Sequence, residues 1–209
     1  MNHALTLMQW LSPAFPVGAF AYSHGLEQVI ADGTVSEARS LQDWLSALLA
    51  HGSGRADAVL LAAAYQADDT AQVDATARAF AAGAERLQET DLQGAAFCDT
   101  ARAVWGLDLT GLTYPVAVGA AARAMDIPLT DTLPLYLHAF VSNLVSVAQR
   151  AMPLGQTDGQ RVLSALAPVI DATAHAASTA TLDDLASSCF AADIAAMRHE
   201  TLQPRIFRT

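Results

Sequence analysis

Six histidines, two cysteines and several adjacent carboxylates are the residues whose types could do chemistry in this chain. A metal ion needs three or four such ligands at recurring spacings. His3, His24, His51, His138, His175 and His199 include no i, i+4 pair, and Cys98 and Cys189 form no C-x-x-C or mixed Cys/His pattern. The two cysteines read as reduced thiols of a packed interior. Ser23 adjoins His24, but there is no G-x-S-x-G elbow and no strand to carry one, so a hydrolase is not indicated. Asp68-Asp69 and Asp183-Asp184 fall at turns or helix starts, where a favourable helix-dipole interaction of about 0.3 to 1 kcal/mol accounts for them. All 11 basic residues are arginine. Without lysine there is neither a P-loop nor a Schiff base. The residues therefore assign no catalytic group and no metal ligand.

What must position these side chains is a helical framework. The 209-residue length suits one domain, taken as residues 1–209. Hydrophobic residues make up 53% and charged residues only 15%, so many helix faces must pack on other helices or on partners, and an oligomer is expected. A net charge of −10 opposes a nucleic-acid footprint. Neither a signal peptide nor a membrane-spanning run is visible, since the apolar stretch 133–148 is interrupted by His138, Ser142, Asn143 and Ser146. The expected location is the cytoplasm.

Along the chain, Leu5, Met8 and Leu11 give a short helix that ends at Ser12-Pro13. A second runs through Leu26, Val29 and Ile30 to Asp32-Gly33, and Ser40 with Asp43 resembles a capping box for a third. Residues 55–66 read as helix, 71–105 as one or two helices, and Pro115 opens another that ends near Ile127-Pro128. Residues 131–151 predict the longest helix and, by their broad apolar stripe, the core of the fold. Thr157 with Gln160 and Thr181 with Asp184 look like further caps, Pro168 is a place for a kink, and 191–200 is the last helix. No stretch alternates with period two. The fold class is all-α, a single-domain bundle of roughly eight to ten helices.

Three segments carry more than a connector needs. In Ser12 to Glu27, S-P-A-F-P-V-G-A-F-A-Y-S-H-G-L-E, Pro13 and Pro16 forbid a continuous helix, Gly18 and Gly25 allow positive φ, and Phe15, Phe20 and Tyr22 resist lying loose in water. A rigid, packed loop that enters a helix near Ser23 follows. The turn Pro153-Leu154-Gly155 precedes Gln156 and Gln160, one helical turn apart, whose amides suit a protein interface. The tail 201–209 sets Phe207 between Arg205 and Arg208, an anchor composition for partner docking with ordering on binding.

The run P-V-G-A-F-A-Y-S-H-G-L-E resembles the N-terminal signature of the urease accessory protein F family (UreF). M-P-L-G-Q-T-D-G-Q-R-V-L, from Met152, resembles its P-L-G-Q-x-x-G-Q segment, and His199-Glu200-Thr201 with Arg205-Ile206-Phe207-Arg208 is similar to its closing motif. His24 stands where the family carries glutamine. Between Ala71 and Gly106 the match is loose, resting on Glu85, Arg86 and Gly94. The resemblance implies a homodimeric, non-catalytic urease maturation factor. It would work with a UreD or UreH type scaffold and a UreG type GTPase to load nickel into apo-urease, nickel and GTP residing on the partners and no cofactor here. Partner contact then falls to Pro13, Pro16, Gly18, Phe20, Tyr22, Ser23, Gly25 and Glu27, to Pro153, Gly155, Gln156 and Gln160, and to Arg198, His199, Glu200, Arg205, Phe207 and Arg208. The alternative is a metallochaperone that binds nickel itself through His24, His51 or Cys98 brought together by folding.

Overall fold

Leu7 and Trp10 on one face of the first helix are fully buried while Leu5 and Met8 on the other stay in water, and the same division repeats along the chain. A computed structural model describes residues 2–208 as ten α-helices and two short 3-10 turns, with no strand among them. They are α1 (His3–Trp10), α2 (Leu26–Ala31), α3 (Ala38–His51), α4 (Ser53–Gln66), α5 (Ala71–Ala79), α6 (Ala84–Trp105), α7 (Tyr114–Ala124), α8 (Leu129–Ala151), α9 (Gln156–Ser178) and α10 (Phe190–His199). The all-α fold class is the one the periodicity predicts.

The centre belongs to α4, not to α8 as the apolar stripe of residues 131–151 suggests. Leu60, Leu61, Ala62 and Ala64 are all buried, so α4 is covered on every side, and it packs against α3, α7, α8 and α9. A helix that is apolar all round is the one enclosed. Its most extensive packing is against α7, where Gly119 leaves no room for a side chain: a Cβ there would lie 2.3 Å from the Leu61 carbonyl oxygen. The α8 stripe Leu133, Tyr136, Leu137, Val141, Leu144, Val145 and Ala148 is buried as expected, but on one face only.

Helix starts differ from the expected caps in three places. Glu37, not Ser40, caps α3, with Ser40 three residues on closing the reciprocal box. Thr157 sits inside α9, which begins at Gln156 after Gly155 and continues through Pro168. Thr181 and Asp184 do form a capping box, yet it closes only the 3-10 turn Leu182–Asp184. In each case the side-chain chemistry is local while the length of helix beyond it depends on what covers its apolar face.

Candidate functional site

The Ser12 to Glu27 stretch is a packed loop. Phe15 packs at 5.5 Å from Phe97 and stacks on Trp105, a 3-10 turn spans Ala19–Ala21, and Tyr22, Ser23 and Glu27 are buried. His24 and Gly25 take φ of 52° and 76°, which delays the helix from Ser23 to Leu26. Gly25 is required twice over, because a Cβ there would also lie 2.7 Å from the Ala196 backbone nitrogen of α10. Pro13, Pro16 and Phe20 remain outside, Phe20 being 62% exposed.

Two side chains of α8 hold this loop. Asn143 Nδ2 donates to the Ala19 carbonyl at 2.8 Å, and Arg150 Nη2 donates to the Phe20 carbonyl at 2.9 Å. The Arg150 guanidinium also lies 4.5 Å from the centre of the Phe207 ring, a cation–π contact that joins loop and tail. Neither residue stands out in the sequence beyond Asn143 interrupting an apolar run.

Beneath the loop lies a buried charge network. Arg86 Nη2 donates to both carboxylate oxygens of Asp57 at 2.7 Å, and Tyr136 Oη donates to Asp57 Oδ2 at 3.0 Å. Arg86 Nη1 faces Glu89 Oε2 at 3.2 Å as an ion pair, while Glu89 Oε1 meets His24 Nε2 at 3.0 Å and accepts from Gln93 Nε2 at 2.9 Å. Burial alone would lower the Arg86 guanidinium, but the charges of Asp57 and Glu89 raise it beyond its ordinary value. Burial first, and Asp57 second, push the Tyr136 phenol well above its ordinary range. These groups floor a cavity of about 480 Å³ whose walls come from α1, the loop and α8. Of its apolar lining, Met8, Phe20 and Leu135 are exposed.

A second knot ties loop, α6, α10 and tail together. His199, fully buried, faces Glu27 Oε2 through Nε2 at 2.8 Å and Glu85 Oε2 through Nδ1 at 3.1 Å. Glu27 also accepts the backbone N–H groups of Ile206 at 2.7 Å and Phe207 at 3.0 Å, and Glu85 accepts from Arg205. The Arg208 N–H then donates to the Ala21 carbonyl at 2.8 Å.

The predicted contact residues divide accordingly. Glu27, His199, Arg205 and Phe207 are brought together, but by one another. Phe207, expected as a partner's anchor on a tail that orders on binding, is 3% exposed and seated in this chain's own core; Ile206 at 70% is what the tail turns outward. Its ring fills a site under Arg150 that the sequence does not reveal. Arg198, Glu200 and Arg208 are exposed, as are Pro153, Gly155, Gln156 and Gln160 in the α8–α9 turn, where Gln149 Nε2 donates to Gln156 Oε1 at 3.3 Å. Gly18 is half-buried with φ of 73°. His24 is engaged with Glu89, His51 is exposed and Cys98 is buried, and no group of three or more His, Cys, Asp or Glu side chains among the described residues is arranged to hold a metal ion. No helix among them is long and apolar enough to cross a membrane.

Fold and surface together define an all-α protein whose buried charges fix a loop and a tail, and whose outward features include exposed apolar side chains. The sequence profile of the UreF family matches residues 35–167. The chain is 58% identical to the urease accessory protein UreF of Roseobacter denitrificans, covering 98% of this chain and 93% of that one. It is 59% identical to the protein of that name from Ruegeria sp. strain TM1040, covering 98% and 97%. With that of Rhodopseudomonas palustris strain TIE-1 it shares 49% identity, covering 97% and 91%. This chain belongs to the UreF family.

Proposed function

We propose that this chain is a non-catalytic urease maturation factor acting in the cytoplasm. It works with a UreD or UreH type scaffold protein and a UreG type GTPase to help insert nickel into apo-urease. Nickel and GTP are handled by those partners, and the chain contributes shape. Its relatives at 58% and 59% identity bear the name urease accessory protein. The observation that carries the reading on this chain is the fastening of the loop to the tail through Glu27, which presents both motifs as one rigid surface.

The exposed residues there that can meet a partner are Phe20, Ile206 and the arginines Arg198 and Arg208, together with Gln156 and Gln160 on the α8–α9 turn. Residues 201–209 dock the scaffold protein. The loop and turn serve self-association or the GTPase.

The test uses cells that carry the urease structural and accessory genes but lack this chain. Supplying it is expected to restore metallated, active urease, and Ile206→Asp is expected to lower recovery of the scaffold protein in a pull-down while leaving the helical content unchanged. Fully metallated urease in cells without the chain would overturn the reading.

A further inference from the structure

Acids outnumber arginines by 21 to 11, so an arginine left without an acid is the exception that needs a reason. Arg78, Arg86, Arg102, Arg123, Arg161 and Arg205 each lie within ion-pair distance of a carboxylate. Arg55 donates to the Asp184 and Ala186 carbonyls, Arg198 is close enough to Asp32 for their charges to interact, and Arg39 is exposed on α3. Arg150 and Arg208 have no carboxylate partner among the described residues, and the fold brings them together. Arg150 Nη2 donates to the Phe20 carbonyl at 2.9 Å and the Arg208 backbone N–H to the Ala21 carbonyl at 2.8 Å, while the Arg150 guanidinium covers the ring of Phe207, the residue before Arg208.

Both side chains have donors left over. Arg150 gives Nε to the Ser146 carbonyl at 3.2 Å and Nη2 to Phe20, which leaves Nη1 without a bond, and the exposed Arg208 guanidinium is bonded to nothing among the described residues. Burial lowers the Arg150 guanidinium below its ordinary value with no acid to oppose it. The acids that the tail does touch, Glu27 and Glu85, already accept from Arg205 and from two backbone amides and face His199. Ile206 of the same tail is 70% exposed. We propose that this face seats an acidic segment of the scaffold protein, which presents carboxylates to Arg150 and Arg208 and an apolar side chain to Ile206. The inference rests on the docking assigned above to residues 201–209. A guanidinium fork binds a carboxylate through paired hydrogen bonds, which fixes orientation as well as contact. On a chain of net charge −10 an acidic partner is repelled in general, so unneutralised cations at one place choose where it lands.

Calorimetric titration of the full chain with purified scaffold protein, at about 0.05 M and about 0.5 M NaCl, tests this. Binding to the native chain is expected to weaken on the order of tenfold across that range. Arg208→Glu is expected to weaken low-salt binding on the order of tenfold or more and to flatten the salt dependence, whereas Arg208→Lys, which keeps the charge, is expected to lose much less. Helical content is expected to be unchanged, because the Arg208 side chain is exposed and its backbone N–H still reaches Ala21. The same change of charge at Arg39, exposed on α3, is expected to cost far less than at Arg208. Equal losses at Arg39 and Arg208, or scaffold binding indifferent to salt and to Arg208→Glu, would overturn the proposal and leave the docking standing. Absence of binding to the native chain at both salt concentrations would overturn the docking itself, and the proposal with it.

Discussion

Glu89 has two opposing forces on one carboxyl group. Burial would push it up, but His24 and Arg86 outweigh burial and hold it below the ordinary carboxylate range. A carboxyl lowered in the folded state lends stability that is complete above its unfolded value of about 4.3 and is lost as pH falls through the folded value. Acid unfolding followed by circular dichroism is therefore expected to steepen below about pH 4, and Glu89→Gln to flatten that limb. At pH 7 the same substitution is expected to cost about 3 kcal/mol in urea titrations, because Arg86 keeps Asp57 but loses its second buried partner. At this scale the sequence is partly legible. Arg86 and Glu85 stand out in the middle of the chain, but Asp57, 29 residues from Arg86 and the better of its two partners, cannot be picked out among so many acids until α4 and α6 are packed together.

The tail behaves as an element of the fold. Residues 205–208 have no helix or strand of their own, yet they are fastened at Glu27, at Glu85, at the Ala21 carbonyl and by the Phe207 ring under Arg150. Phe207→Ala removes a ring that is almost fully buried, for which the expected loss is about 3 kcal/mol or more. Thermal denaturation measures that loss. Hydrogen exchange of the loop is expected to quicken in the same variant, because Arg150 loses the contact that holds it over the tail while it grips the Phe20 carbonyl. Unchanged loop exchange would mean that Arg150 and Asn143 hold the loop without help. Composition marks these segments as special, since prolines, glycines and aromatics crowd into one and arginines flank an aromatic in the other. It does not say that the two touch, because they are separated by nearly the whole length of the chain.

For the whole molecule, the exposed apolar residues have a consequence for assembly. Met8 at 67% and Phe20 at 62% exposure stand with Leu135 around the cavity, on a chain whose net charge is −10. Two such chains repel at long range, so they associate best through exposed apolar residues such as those of this rim. The proposed homodimer is expected to use it. Light scattering coupled to size-exclusion chromatography is expected to give twice the monomer mass, and Phe20→Asp to shift the population to monomer by placing like charges in the contact. A variant that remains fully dimeric would move the interface elsewhere.

What the sequence by itself determined is whatever depends on near neighbours. The 3.6-residue periodicity specifies helices, prolines and glycines interrupt them, and the three motif segments declare the family. Lysine-free composition removes two enzyme classes on chemistry alone. The tertiary structure decided which helix is central, because enclosure of α4 depends on neighbours from α3, α7, α8 and α9 that no local window contains. It also decided that Phe207 faces inward. The ring's environment is assembled from α8 and the loop, of which Glu27 lies 180 residues away along the chain, and burial is a property of that assembly, not of the residue.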